Sequence, residues 1–536
     1  MFSRVAFTLV SLSLLLPAIS AERFLFITTN IGHSHLGFSG RLADILVDEG
    51  HEVDFIIPLL NNFVKTNGSK KANVTRLRLD VTDKLDRRMR EMTWWNDVFE
   101  SEASPGEERK FNSMFGDYCE SMLQKPDYLD YLRSRNYSIG MAETFDACAF
   151  SLFHLLGIKV THQLSALPLL LQDQVSYGVP LDITIPVTFD QNQFTPIKSL
   201  YERTKNWFMY LSFRWSHLGL LPVDKVMQRE ISASYPPVKE LMKQADFVWL
   251  NTNEFIEFPR ALPAKIKHIG GVGIGQPQEM NEHFKSIFNR AAKGVILVSF
   301  GSIVDTTHMK PRIRDAFLDA FARFPDYEFI WKVSDVNENN LSHLALTRYP
   351  NVHPVNWMNQ QSILAHHRTS AFITHLGLNS MNEAAFYGVP MVAMPFFVDQ
   401  QYNTAALLKR KLGVYLNRRQ VTAEKLSNAI RTVLEDPSYR KVVKEVSEKI
   451  NNVPFNSREV FVRNVEFSAR HGPVNERQLS TSKTNLIQKH LLDVFAVTIF
   501  AFFVVICTVA FTLRWAVRCL LNRFVESFDA QQKKNV

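Results

Sequence analysis

The chain has 536 residues, 46% hydrophobic and 21% charged, with a formal charge of +8 and four cysteines. That length exceeds a single hydrophobic core and points to two domains with appendages, while the ordinary composition excludes a large disordered region. No run of Lys and Arg interleaved with aromatics accompanies the modest charge, so nucleic acid is excluded as a partner, and four cysteines exclude a disulfide-framework protein.

The N-terminal MFSRVAFTLVSLSLLLPAISAE carries one early Arg, an apolar stretch, and small residues at Ala18 and Ser20, which predicts a secretory signal peptide over residues 1–20. RFLFITT (23–29) then reads as a buried strand. A helical pattern with Leu42, Ile45 and Leu46 on one face follows, Gly50 ends it, and EVDFIIP (52–58) reads as a second strand. Apolar strands joined through a helix indicate a parallel sheet covered on both faces. Between the first strand and the helix, NIGHSHLG reads as a loop carrying His33 and His35. An imidazole titrating near neutrality suits removal of a hydroxyl proton. A His-x-His metal pair is the other reading, without an evident third ligand.

Residues 80–250 read as helix-rich, with FVWLNT (247–252) as a strand. Apolar runs such as LFHLLGI (152–158) and NWFMYLSF (206–213) suit a core, a lipophilic pocket or a membrane contact. HIGGVGIGQP (268–277) joins no strand to a helix in a GxGxxG frame and reads as a linker, not a phosphate loop.

Beyond it the alternation restarts: GVILVSFGS (294–302), YEFIWKV (327–333), VHPVNW (352–357), AFIT (371–374) and VPMVAMP (389–395) read as strands. The fold class is α/β, with two doubly wound domains facing a cleft. Ligands in such sheets bind outside the carboxyl ends of the strands, so the residues following each strand carry the functional signal. Gly301-Ser302 form a small turn whose amides suit a phosphate. Trp357 offers a face for a base and Gln360 an amide to read its edge. His375, Gly377, Asn379 and Ser380 open a helix whose free N–H groups suit an anion. Glu383 suits ribose hydroxyls, and Asp399-Gln400 suit sugar hydroxyls. Singly, Trp357 reads as core and Asn379-Ser380 as a helix cap; together they give base, ribose, diphosphate and sugar a partner each.

VFAVTIFAFFVVICTVAFTL (494–513) holds 20 residues without a charge, and roughly 20 helical residues cross a bilayer core. Arg514, Arg518 and Arg523 follow it and place the tail on the cytoplasmic side, giving a single-pass type I topology. Lys533-Lys534 match a dilysine signal for return to the endoplasmic reticulum. Asn67, Asn73, Asn136 and Asn340 head N-x-S/T sequons on the luminal side. With Cys507 in the span and Cys519 beyond it, Cys119 and Cys148 are available for one disulfide.

FITHLGLNSMNEAAFYGVPMVAMPFFVDQQYNTA (372–405) resembles the signature of the UDP-glycosyltransferases, specifically the animal UDP-glucuronosyltransferases. The likeness covers nearly the whole chain, from signal peptide to dilysine tail. It implies the GT-B fold with a C-terminal transmembrane helix. The domains would be an acceptor domain (21–267), a linker (268–278), a UDP-sugar domain (279–455), a helical connection (456–493), the span (494–513) and a tail (514–536). It further implies a UDP-sugar co-substrate, no cofactor and no metal. By residue, Trp357 and Gln360 would meet uracil, Ser302, His375, Gly377, Asn379 and Ser380 the phosphates, Glu383 the ribose, and Asp399 and Gln400 the sugar. The base falls on His35, in the family's Ser-His step. Its carboxylate partner comes from MAETFDAC (141–148), where Glu143 and Asp146 compete.

The implied reaction transfers a sugar with inversion, glucuronate from UDP-glucuronate or glucose from UDP-glucose, to a small lipophilic acceptor at the endoplasmic reticulum membrane. Further copies of this or a related chain are candidate membrane partners. Two departures stand out. The family's Trp-x-Pro-Gln is Trp357-Met358-Asn359-Gln360 here, and its His-Gly-Gly turn is His375-Leu376-Gly377. A positive φ at Leu376 would cost about 1–2 kcal/mol. A blocked turn would leave a catalytically weak binding or partner protein.

Overall fold

The computed structural model describes residues 21–92, 99, 105–169, 199–215, 221–336, 341, 347–396, 399–477, 486–489 and 491–534, with six isolated positions between 170 and 198. The signal-peptide segment and Asn340 lie outside the described residues. The chain divides into two compact units, with the boundary after Gln478.

The first unit holds two parallel sheets. Strand β1 (Arg23–Ile27) leads into helix α1 (His33–Asp48), and β2 (Glu52–Pro58) and β3 (Asn73–Leu77) follow. Then come β4 (Ile139–Glu143), α2 (Ala147–Leu155), β5 (Val160–Ser165), β6 (Phe247–Leu250) and β7 (Ile266–His268). The sheet order is β3-β2-β1-β4-β5-β6-β7 with every pairing parallel.

The second sheet has β8 (Gly294–Ser299), β9 (Tyr327–Lys332) and β10 (Val352–Val355), followed by α3 (Gln360–Ala365), β11 (Thr369–Thr374) and α4 (Leu378–Phe386). It ends with β12 (Met391–Ala393), α5 (Gln400–Arg410) and β13 (Gly413–Tyr415), in the order β10-β9-β8-β11-β12-β13, again all parallel. Strands such as β1 and β8 are buried on both faces, which is why they read as unbroken apolar runs.

In each sheet the strand order reverses once, between β1 and β4 and between β8 and β11. A doubly wound sheet opens a crevice at such a point. The predicted strands end a few residues early because Thr28-Thr29, Phe300-Gly301 and Asn356-Trp357 already belong to the turns beyond the sheet. The NIGHSHLG stretch, read above as a loop, is helical from His33 onward, with Gly32 as the N-cap residue. His35 therefore stands in the first turn of α1.

Helix α6 (Ser457–His471) packs on the first sheet, where Phe461, Val462 and Val465 join Phe24, Phe26 and Trp249 in one core. Cys119 and Cys148 form a disulfide that ties α2 to the helix Pro105–Leu123. In the second unit, α7 (Leu492–Lys534) contains a stretch, Leu492–Ser527, long and apolar enough to cross a membrane.

Candidate active site

Glu143 ends β4, and β4 pairs with β1, whose following helix carries His35. The reversal point of the first sheet thus brings together two residues 108 positions apart. His35 Nδ1 lies 3.3 Å from Glu143 Oε1, and Glu143 Oε2 accepts the Ala166 backbone N–H at 3.2 Å. The Glu143 side chain is only 1% exposed. With Nδ1 engaged, Nε2 is the nitrogen left to take a proton. Burial pulls the His35 pKa down. The Glu143 carboxylate and its hydrogen bond, aided by Asp399 from the second sheet, outweigh that, and the net direction is up.

Asp146, the competing carboxylate, accepts the Ala149 N–H at 3.1 Å and caps α2. Burial pushes its pKa up to about 7. His33 begins α1; burial and then the Lys332 charge lower its pKa.

At the reversal point of the second sheet, His375 follows β11 and its ring lies between two glycines. A Cβ at Gly301 would come within 2.7 Å of His375 Nε2, and one at Gly377 within 2.5 Å. Burial, reinforced by Lys332, lowers the His375 pKa to about 4, so the imidazole is neutral at physiological pH. Helix α4 starts with Gly377 at the N-cap position and no side-chain cap, which leaves its first amides unclaimed by side chains.

Gln360 Nε2 donates to Glu383 Oε2 at 2.7 Å and to Ser380 Oγ at 3.2 Å, while Gln361 donates to Glu383 Oε1 at 3.1 Å. Trp357 is 71% exposed and presents an open ring face. Lys332 Nζ lies 4.8 Å from that ring and donates to the Gly301 carbonyl at 2.8 Å. Ser302 is exposed beside this turn. Asp399 and Gln400 are buried. Asn403 donates to Asp399 at 2.7 Å, and Gln400 accepts the Phe396 N–H at 2.7 Å. Burial raises the Asp399 pKa to about 6 against the opposing hydrogen bonds and His35.

Both departures in the signature have local compensation. Asn359, at the family's proline position, caps α3 by accepting the Ser362 N–H at 3.3 Å. Leu376 does adopt φ +62°, yet its side chain is fully buried in the core with Phe372, Leu378, Met381 and Leu407. Its N–H donates to Thr374 Oγ1 at 3.1 Å and its carbonyl accepts from Asn403 at 3.0 Å. The side chain leaves the turn for the interior.

Lys332, Arg41 and Asn251 also belong to this cleft and escaped the sequence reading, and Asn403, part of the quoted signature, was given no role in it. Lys332 is the last residue of β9, so the rule about strand ends could have found it. Asn251 directly follows β6, inside the stretch FVWLNT read as a strand, so the same rule applied to it, whereas Arg41 and Asn403 sit inside helices. Asn379 Oδ1 accepts from Asn251 at 2.8 Å and from Arg41 at 3.2 Å, joining the two sheets' domains at the head of α4. Asn67, Asn73 and Asn136 are all exposed. Among the described residues, no three His, Cys, Asp or Glu side chains gather as metal ligands.

A family model described as UDP-glucuronosyl and UDP-glucosyl transferase matches residues 25–529. The chain belongs to this family. It is an enzyme, a UDP-glycosyltransferase. Human UDP-glucuronosyltransferase 3A2 is 27% identical over 506 residues, covering 91% of this chain and 92% of that one. Xenopus laevis UDP-glucuronosyltransferase 3A1 is 29% identical over 401 residues, covering 74% and 73%. In fold, the chain is similar to Phytolacca americana UGT2, solved with UDP-2-fluoro-glucose and pterostilbene. That match has a TM-score of 0.58 and 16% identity, and covers 84% of this chain and 100% of that one. The UDP-glycosyltransferase thus has the GT-B architecture of two facing Rossmann-like domains.

Proposed function

We propose that this UDP-glycosyltransferase moves glucuronic acid from UDP-glucuronate to a hydroxyl of a small lipophilic acceptor, with inversion at the anomeric carbon. The observation that carries the proposal is His35 at the start of α1, its Nδ1 held 3.3 Å from the buried Glu143 carboxylate. His35 Nε2 takes the acceptor proton as the oxygen attacks. Glu143 stabilises the imidazolium that forms, as a carboxylate does in other His-dependent sites. The uncapped start of α4 and neutral His375 receive the negative charge of departing UDP.

On this reading Trp357 stacks on uracil, Gln360 reads its edge, and Glu383 holds the ribose. Ser302, His375, Gly377, Asn379 and Ser380 surround the phosphates, while Asp399 and Gln400 meet the sugar. The exposed face of Trp357 supports the first assignment and the glycine-flanked His375 the third. Glucuronate is favoured by the names of the relatives. UDP-glucose is the second reading, supported by the family description and by a donor-end pair, Asp399-Gln400, that suits hydroxyls of either sugar.

The uncharged stretch 494–513 of α7, the arginines that follow it in the same helix and the dilysine end support a single pass through the endoplasmic reticulum membrane, with the catalytic unit luminal and Asn67, Asn73, Asn136 and Asn340 as glycosylation acceptors. Lys533-Lys534 would act as a receptor-read address.

The test is transfer by the full chain in membranes, with labelled UDP-glucuronate and UDP-glucose offered in parallel to a panel of phenols and lipophilic alcohols. Faster transfer from UDP-glucuronate, giving the β-anomer, supports the proposal. Transfer from UDP-glucose alone moves the assignment to the second reading, and an α-anomer refutes inversion.

A further inference from the structure

Arg41 is a cation that the acceptor-side domain sends into the donor side. It lies on α1, six residues after His35, so it points from the same helix toward a different part of the cleft. One of its terminal nitrogens donates to Asn379 Oδ1 at 3.2 Å, in the first turn of α4. The Glu383 carboxylate on the same helix acts on its charge. Its Nε is shielded from solvent and, among the described residues, meets no hydrogen-bond acceptor.

The seat for this side chain is unusual. A Cβ at Gly273 would collide with the Arg41 stem at Cδ and Nε. Within the glycine-rich HIGGVGIGQP segment, Gly273 thus makes room for an arginine directed at the head of α4. A desolvated guanidinium with an unmet N–H is costly unless an acceptor arrives. Asn379 supplies only a neutral oxygen, and it already accepts from Asn251 at 2.8 Å. A diphosphate at the head of α4 would supply charged oxygens in a geometry suited to the guanidinium fork.

We propose that Arg41 is a donor-binding residue contributed across the cleft, which turns from Asn379 onto the diphosphate when the UDP-sugar binds and thereby couples donor binding to the position of the helix that carries His35. The inference rests on the assignment of the α4 start as the phosphate site. It gives the nucleotide diphosphate one ligand from each domain, so the donor itself draws the catalytic helix into place.

The test compares UDP with uridine, which lacks the phosphates, by calorimetric titration of the full chain in detergent, unaltered and as Arg41→Met and Arg41→Lys. Arg41→Met is expected to weaken UDP binding roughly ten- to a hundredfold while uridine affinity stays within twofold, as loss of a charge-assisted contact predicts. Arg41→Lys, which keeps the charge without the fork, is expected to restore part of the UDP affinity. Because the readout is a ratio of affinities, partial unfolding of a variant changes the stoichiometry and not the outcome. Equal loss of UDP and uridine binding, or unchanged UDP binding, overturns the proposal and leaves Arg41 as an interdomain clamp. Failure of the unaltered chain to bind UDP overturns the phosphate-site assignment beneath it instead.

Discussion

The Leu376 carbonyl accepts a hydrogen bond from the Asn403 side-chain amide at 3.0 Å, so helix α5 pins the turn that leads into α4. This clamp holds a leucine in the left-handed region where the family signature has glycine. Replacing Leu376 by glycine relieves about 1–2 kcal/mol of backbone strain but removes a fully buried side chain worth about 2–5 kcal/mol, judged from Leu→Ala changes in cores. Leu376→Gly is therefore expected to lose on the order of 1–3 kcal/mol in chemical denaturation. UDP affinity should stay the same. Markedly tighter UDP binding in the variant would show that Leu376 obstructs the phosphates after all.

If His35 is the base, as proposed, it sets the acid limb of the rate profile. Its folded-state pKa is raised, so the fraction able to act as a base falls as the pH drops through a value above 6.5. Glu143→Gln removes the raising influence of Glu143 and leaves burial, which acts the other way, opposed only by the smaller influence of Asp399. The variant's acid limb should move to lower pH while kcat drops by about a hundredfold or more, because the imidazolium loses its partner. A pH series of kcat for both forms checks this, and an unmoved limb would separate Glu143 from the titration of His35.

Trp357 is exposed, and its removal should spare the fold. Loss of base stacking costs about 1–3 kcal/mol, so Trp357→Ala is expected to weaken UDP and uridine alike, roughly five- to a hundredfold. The melting temperature should hardly change. Unaltered affinity for both ligands would remove Trp357 from the donor site.

Much of this layout was legible in the sequence wherever a strand was apolar and the residues after it were not. The turns after β8, β10, β11 and β12 could be read in that way, because strands buried on both faces must end where polar ligand-facing groups begin. Strands β4 and β5 were harder. Gly140 lies in β4 because the Phe153 ring fills the place of its Cβ, and β5 buries His162 and Gln163. Those polar groups are acceptable only through long-range partners. Trp249 donates to His162 at 3.2 Å, and Gln163 donates to the Met242 carbonyl at 2.6 Å, neither of which has a local pattern. The His35–Glu143 contact was reachable only through the family resemblance, with Asp146 as a rival until the α2 cap occupied it. Asn251 had only its place at the end of the FVWLNT strand, and Arg41, inside α1, had no signal at all, because its role arises where two domains meet.

The most direct test of His35 as the base is the initial rate of glucuronosyl transfer by the full chain, unaltered and as His35→Ala, with UDP affinity measured on the same preparations. The acceptor is whichever phenol the unaltered chain turns over. The account predicts a rate loss of roughly 10²–10⁴-fold with UDP affinity unchanged, since only the proton-accepting group has gone. Transfer within about fivefold of the unaltered chain, at equal UDP affinity, would contradict it, because removal of a general base costs far more than that.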